Sequence, residues 1–391
     1  MATRAIVTAD EAGGVSHRFS GWRTVLDAQY IAAWDDLATH AVEHNAFAES
    51  WFLTPALEQF DPKGRVRLFS LWDADSLVGL MPISPQTQYG RWPMPHIQNW
   101  LHHNAFLGTP LVRDGYETSF WSALLPVLDR QPGSALFAHF NCLAVGGPLV
   151  SALEAVCQAE RRRCALVHRE ERALLETGMT PEAYFEAAVR GKKRKELRRQ
   201  KNRLAEEGAL SFVRHLDDTD LAEWTTEFLT LERAGWKGDN GSALDCLPQT
   251  RTLFADALIG ASAQSKLERL ELRLDGKPLA MLVNFLCRPG SFSFKTTFNE
   301  EYARFSPGVL LQIENLALLS REDTLWCDSC AAQGHPMIDS LWTGRRTIGR
   351  YSVAIGGSGR RAIFAALSKA EQARSAVRKS SAMLQDEGND A

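Results

Sequence analysis

The chain has 391 residues, of which 45% are hydrophobic and 23% charged, with a formal net charge of −3. That is a globular composition with length enough for two domains, and its near-neutral balance excludes a global attraction to nucleic acid or to an acidic membrane. No run of about 18 apolar residues occurs, so nothing reads as a membrane span.

The opening MATRAIVTADEAGGVSHRFSGW lacks a basic stretch followed by an apolar core, so a cytoplasmic location is expected. Seven scattered cysteines do not read as a disulfide framework. Most of the eleven tryptophans, among them Trp34, Trp51, Trp72, Trp92, Trp100 and Trp121, are expected in the core or in pocket walls.

Apolar periodicity and turn residues predict a helix near 31–45 and strands near 65–72 and 77–84. An irregular segment rich in Pro, Gly, His and Trp follows at 85–113, then a helix at 116–130, a strand at 135–141, a helix at 149–161 and a strand at 164–169. Residues 181–207 open with PEAYFEAAV and continue as RGKKRKELRRQKNRLAEE. From Arg190 to Arg203 there are nine Lys or Arg and one Glu. Phe185, Val189, Leu197 and Leu204 supply a narrow apolar seam, so the stretch reads as one amphipathic helix ending at Gly208. Its basic face, 190–203, is either simply solvated or a docking surface for an anion: a nucleotide-bearing substrate, an anionic glycan, an acidic membrane surface or RNA.

Further on, helices are predicted at 218–235 and 250–261, strands at 267–275, 278–287 and 291–298, and a helix at 307–320. A strand at 324–328, a short helix at 335–343 and a strand at 347–355 complete the pattern, with 356–391 as a surface helix and polar end. Segments 66–82 and 268–284 share a strand–turn–strand pattern. An offset of 202 aligns Leu68 with Leu270, Asp73 with Asp275 and Leu77 with Leu279. A duplicated α/β module with mixed sheets follows: a degenerate first copy at 1–170, a basic linking helix at 171–210, a second copy at 211–357 and a tail at 358–391.

Residues 290–320, GSFSFKTTFNEEYARFSPGVLLQIENLALLS, carry the densest signal. Strict alternation places Phe292, Phe294, Thr296 and Phe298 on one face of a strand, with Ser293, Lys295 and Thr297 on the other. Ser306 reads as an N-cap, Pro307 as the first helical residue, and Gly308 as the point where backbone N–H groups lie open. A strand end facing a helix N-terminus suits an anion such as a pyrophosphate.

Five pieces in this order resemble the CelD/BioF-like acetyltransferase branch of the GNAT superfamily, itself related to FemAB-type transferases. They are GKKRKELRRQKNRLAEEGAL, then Glu232 with AGWKG (Ala234–Gly238), LRLDGKPLAMLV, FKTTFNEEYARFSPGVLL and CDSCAAQGHPMIDSLWTGRR. The resemblance covers about 190–357 and implies a tandem GNAT-like fold. It further implies transfer of an acyl group, most simply acetyl from acetyl-CoA, to an amine or hydroxyl of a small-molecule or glycan-precursor acceptor, with a link to exopolysaccharide or cellulose production. The usual phosphate-loop spacing is departed from: three residues separate Arg304 from Gly308, and Leu310 fills the last small position. Two alternatives stay open: a FemAB-like transferase using aminoacyl-tRNA, and a non-catalytic glycan-binding module.

Acyl transfer from a thioester needs a deprotonated nucleophile, an oxyanion donor and a proton for the leaving thiolate. It requires neither a metal nor a covalent enzyme intermediate, and none is expected. Glu232 is a candidate base or a solvent-facing helix residue. Tyr302 is a candidate proton donor or a packed loop residue. Asp328 and His335, after a buried strand, are candidates for acid/base or substrate-positioning roles. Arg304, Ser306, Gly308 and Val309 are candidates for the donor's phosphates, and Trp236, Lys237, Lys295 and His103 for the acceptor. The strand at 291–298 supplies the oxyanion donor if it splays from the strand at 324–328. Cys327 and Cys330 form a C-x-x-C near His335, but no second ligand cluster accompanies them, so they read as buried thiols.

Overall fold

The computed structural model describes residues 6–9 and 14–369. The first half runs β1 (Ile6–Ala9), β2 (Val15–Gly21), α1 (Ala28–Thr39), α2 (Ser50–Phe60), β3 (Arg67–Asp73), β4 (Ser76–Gln86), β5 (His96–Asn99), β6 (Leu111–Val112), α3 (Glu117–Arg130), β7 (Phe137–Ala144), α4 (Pro148–Ala159) and β8 (Cys164–Glu176). The second runs α5 (Pro181–Ala188), α6 (Gly191–Glu206), β9 (Leu210–His215), α7 (Leu221–Arg233), α8 (Trp236–Asp239), α9 (Pro248–Ala263), β10 (Leu267–Leu274), β11 (Lys277–Cys287), β12 (Gly290–Phe298), α10 (Pro307–Glu314), β13 (Trp326–Asp328), α11 (Pro336–Asp339) and β14 (Gly344–Ala354). The chain past 357 is helical as far as 369; the rest of the expected tail lies outside the described residues.

The strands form one mixed sheet in the order β1-β2-β3-β4-β5-β7-β14-β8-β13-β12-β11-β10-β9, with β6 beside β4. The order is mirrored about its centre. Each half presents a meander, then a parallel pair (β5 with β7, β12 with β13), then a closing antiparallel strand. The closing strands are exchanged. β8 follows the first half but pairs with β13, while β14 follows the second half but pairs with β7, and the two pair with each other. The boundary expected at 170 therefore falls inside β8. Neither half completes its sheet without a strand from the other.

The hairpins expected to repeat do so, at an offset of 201 rather than 202. β4 maps onto β11 end for end and β3 onto β10 except for one extra residue at the start of β10, both ladders slip beside the turn, and the turns at Ala74 and Asp275 share a φ of 49°. The one-residue difference matters, because a strand shifted by one presents the opposite face. The same offset carries α2 onto α9. These two helices pack against each other across the seam, where any Cβ at Gly260 would lie 2.9 Å from Trp51 Cβ.

The single helix expected at 181–207 is two. Val189 is extended and buried, so the chain bends between α5 and α6, and the Arg194 guanidinium donates to the Val189 and Glu186 carbonyls at the end of α5. The bend lets Tyr184, Val189 and Leu197 reach one apolar cluster while Leu204 reaches another. The expected helix at 307–320 keeps α geometry only to Glu314 and continues as 3₁₀ turns to Ser320. Trp34, Trp51, Trp72, Trp100 and Trp121 are buried, whereas Trp92 is exposed.

Candidate active site

The β12 register with β11 overturns the simple alternation. Asn284 pairs with Ser293 and Val283 with Lys295, leaving Phe294 as an extra residue in a β-bulge. One inserted residue flips everything after it. Lys295 thus joins Phe292 and Phe294 on the face toward the seam between the halves. Thr296 and Phe298 turn toward α10, where Gln312 Nε2 donates to Thr296 Oγ1 at 3.2 Å and Phe298 joins the apolar cluster.

The β12–β13 ladder is short, with Gly290, Ser291 and Phe292 pairing with Trp326, Cys327 and Asp328. Beyond it, the Ser329 N–H donates to the Ala173 carbonyl on β8 (3.1 Å), and Cys330 adopts a φ of 55° that turns the chain away. Among the described residues no backbone hydrogen bond joins 293–298 to the chain after Asp328. The splay allowed for in the sequence reading is present, and Lys295 stands just past the point of parting.

Lys295 Nζ lies 5.1 Å from the Phe106 ring centre and 5.3 Å from that of Phe294, and no described acceptor hydrogen-bonds to it. Burial, reinforced by the charge of Lys237, pulls its pKa from 10.5 down to about 8, with Glu232 acting in the opposite sense. A lysine in this state has a neutral fraction near pH 7 and can take or give a proton there.

Glu232 is buried at 3% exposure, and both oxygens are engaged. Oε1 accepts from Lys237 Nζ at 2.8 Å, and Oε2 accepts the Leu244 N–H at 2.7 Å. Lys237 Nζ also donates to the Thr296 carbonyl at 3.2 Å. The carboxylate expected as a base or a surface group therefore holds Lys237 beside β12. Trp236 points its indole outward at 53% exposure, while its N–H donates to Glu300.

Asp328 is fully buried and accepts the Cys330 N–H at 2.8 Å. Arg172 Nη1 lies 3.5 Å from both of its oxygens, and Arg346 Nη1 lies 3.4 Å from one. With donors around both oxygens, it anchors two arginines. Arg172 in turn donates to the Phe106 carbonyl at 2.9 Å, which links this cluster to the ring beneath Lys295. Cys327 and Cys330 are buried thiols with raised pKa values, chiefly from desolvation.

Other expectations change more. Tyr302 packs with Phe305 against the β10–β11 side, away from the seam face, so it is not beside Lys295. Ser306 has a φ of 54° and makes no side-chain cap, so it marks a left-handed turn into α10. A Cβ on Gly308 would lie 3.2 Å from both Met337 Sδ and Phe298 Cδ1. Glycine is needed there for close packing of α11 on α10, whatever the backbone N–H groups bind. Val309 packs into the α5–α11 cluster. Arg304 is exposed and pairs with Glu207 at 2.9 Å. His335 is partly buried, with Nδ1 enclosed and unpartnered.

His103 is exposed, and His102 is the enclosed member of the pair. Its ring stacks on Phe60 and Phe52, with centroids at 4.9 and 5.8 Å, and its Nε2 has no partner. Burial, then the charges of His103 and Lys295, pull its pKa to about 3, so it stays neutral. Sequence reading missed Arg172, Arg346 and Phe106.

Residues 191–333 match the acetyltransferase (GNAT) domain family. That span runs from α6 past β13, so it takes in Lys295, Glu232, Lys237, Asp328 and the splay between β12 and β13. The crystal structure of FemX aligns over 82% of this chain and 95% of its own, with a TM-score of 0.56 at 10% identity. A conserved protein of unknown function from Bacteroides thetaiotaomicron VPI-5482 aligns over 83% and 97%, with a TM-score of 0.54 at 11% identity. These likenesses are of fold. No curated protein matches the sequence significantly. Residues 191–333 thus carry the fold of a GNAT domain, and no helix among the described residues is long and apolar enough to cross a membrane.

Proposed function

We propose that the protein is an acyltransferase whose reaction centre is the gap between β12 and β13. The acyl group, most simply acetyl, comes from a CoA thioester, the donor that a GNAT domain generally implies. The acceptor is an amine or hydroxyl on a small molecule or glycan precursor, and the likeness to the CelD/BioF-like branch favours a sugar-like one. The observation that carries this reading is Lys295, a half-buried lysine that, among the described residues, has no hydrogen-bond partner and lies beside the unpaired edge of a bulged strand.

In the proposed reaction the acceptor attacks the thioester carbonyl and neutral Lys295 takes its proton. Amide groups on the open edge of β12 stabilise the oxyanion. Collapse expels the thiolate, and the Lys295 ammonium returns the proton to it, so that thioester and amine become amide and thiol. Lys237, fixed by Glu232, sets the electrostatics around Lys295. The N–H groups of Gly308 and Val309, at the first turn of α10, would face the carrier's phosphates.

A second donor, aminoacyl-tRNA, is favoured by α6, where Lys192, Lys193, Lys195, Arg198 and Arg203 are exposed and have no ion-pair partner among the described residues. Melting shifts with CoA and with deacylated tRNA separate the two. A ligand at 100 times its dissociation constant stabilises by about 2.7 kcal/mol. Stabilisation by CoA, with thiol release on adding an amino sugar and acetyl-CoA, is the expected result. Stabilisation by tRNA alone overturns the thioester reading.

A further inference from the structure

The bulge that turns Lys295 toward the gap is gripped from the other face of the sheet. Asn284 stands opposite Ser293, just before the extra residue, and Thr296 comes just after Lys295. A chain of buried amides joins the two. Asn284 Nδ2 donates to Glu268 Oε2 on β10 and to Asn315 Oδ1 at the end of α10, both at 2.7 Å. Asn315 Nδ2 donates to Gln312 Oε1 at 3.2 Å, and Gln312 Nε2 donates to Thr296 Oγ1. Glu268, Asn284 and Asn315 are fully buried and Gln312 nearly so. Arg214 Nη1 ties down the far end, donating to Glu268 Oε1 at 2.6 Å.

Three buried amides in a row are a poor way to gain stability. Asn284 Oδ1 has no partner among the described residues, a desolvation that an apolar side chain would avoid. The best-attested use of such groups is to choose between competing registers. Two registers compete here. Without the extra residue, the pairing of Asn284 with Ser293 would run on to set Leu282 opposite Lys295. The ammonium would then enter the cluster of Leu270, Leu282 and Leu310, where a charge is costly. Thr296 would turn to the seam and leave Gln312 without its acceptor. Both penalties fall on the wrong register.

We propose that Gln312, held by Asn315 and Asn284, is a positioning residue: through the Thr296 hydroxyl it locks the bulge in the register that presents Lys295 to the β12–β13 gap. This role rests on Lys295 as the base of the proposed reaction. Gln312 lies on the α10 face and acts on the chemistry only through the strand.

Steady-state kinetics and NMR of the full chain test it. Thr296→Val keeps the side-chain shape but removes the acceptor, and Thr296→Ser keeps the acceptor. The valine variant should lose about tenfold to 100-fold in kcat with KM little changed, while the serine variant stays near wild type. Added to Lys295→Met, Thr296→Val should cost nothing further, because both act through one amine. A nuclear Overhauser contact between the Lys295 ε-methylene and the Phe106 ring should be present in the wild type and in Thr296→Ser and lost in Thr296→Val. That contact reads the register without turnover. It therefore separates failure of this role from failure of Lys295 as base, which wild-type kcat in Lys295→Met would show. Persistence of the contact in Thr296→Val, or equal kcat in the valine and serine variants, overturns the proposal. Should Thr296→Val fail to fold, Gln312→Leu decides by the same two readouts.

Discussion

The two halves of the sheet face the same geometric problem and solve it in opposite ways. In each, a parallel pair parts after a few residues. In the first half β5 and β7 pair only at Ile97–Ala138 and Gln98–His139, and Asn99 then bridges the gap. Its Nδ2 donates to the Gly108 and Asn141 carbonyls, both at 2.9 Å, and its Oδ1 accepts the Asn141 N–H at 2.7 Å. The Gly108 N–H donates to Cys142 in turn, so the loop after β5 fills the space. In the second half no side chain among the described residues ties both strands together in this way; Lys237 Nζ reaches only the Thr296 carbonyl on β12, and a bulge turns Lys295 toward the gap. The same fold element serves as a sealed joint in one copy and an open edge in the other. What decides is whether one side chain joins the backbone on both sides of the gap.

This contrast can be broken in graded steps. The largest effect is expected at Lys295. Lys295→Met should lower kcat by about 100-fold or more, the usual share of a general base, while raising the melting temperature at pH 7 by removing an unpaired half-buried cation. In the wild type, kcat/KM should rise with pH through about 8 as Lys295 becomes neutral. The stability sign is separate. Because the folded pKa lies below the unfolded value of 10.5, the unfolded chain binds more protons between about 8 and 10.5, so this group makes the protein more stable as pH rises through that window.

Asn99→Ala should do the reverse. Losing three buried hydrogen bonds should cost about 2–4 kcal/mol by denaturant titration, with kcat per folded molecule unchanged. Activity lost in proportion to Lys295→Met would make the first half part of the reaction centre. Gly308→Val should cost about 1–3 kcal/mol by crowding Met337 and Phe298, and a second change, Met337→Ala, should restore most of it. The smallest effect belongs to Lys237→Gln. Removing that positive charge should move the pH–rate midpoint up by about one unit or less, and an acid shift would contradict the stated electrostatics.

Local features were legible and non-local ones were not. The hairpin strands could be read because alternation and a tight turn are short-range signals. The offset was misread by one because aligning Asp73 with Asp275 matched residue type, whereas the backbone equates Ala74 with Asp275 by their shared φ. The bulge at Phe294 left no trace, since an extra phenylalanine keeps the apolar pattern intact while flipping Lys295. α2 was missed because SWFLTPALEQF is nearly continuous in apolar residues and contains Pro55, which obscures helical periodicity. The exchange of β8 and β14 lies in pairing between distant segments. The Asp328 cluster likewise depends on Arg172, 156 residues away in sequence.

The most direct measurement is a crystal structure with a non-hydrolysable acetyl-CoA analogue. The carrier's pyrophosphate is expected at the first turn of α10 and its acyl carbonyl between β12 and β13, within reach of Lys295 Nζ. Density for the analogue elsewhere, with the β12–β13 gap closed by protein side chains, would contradict it.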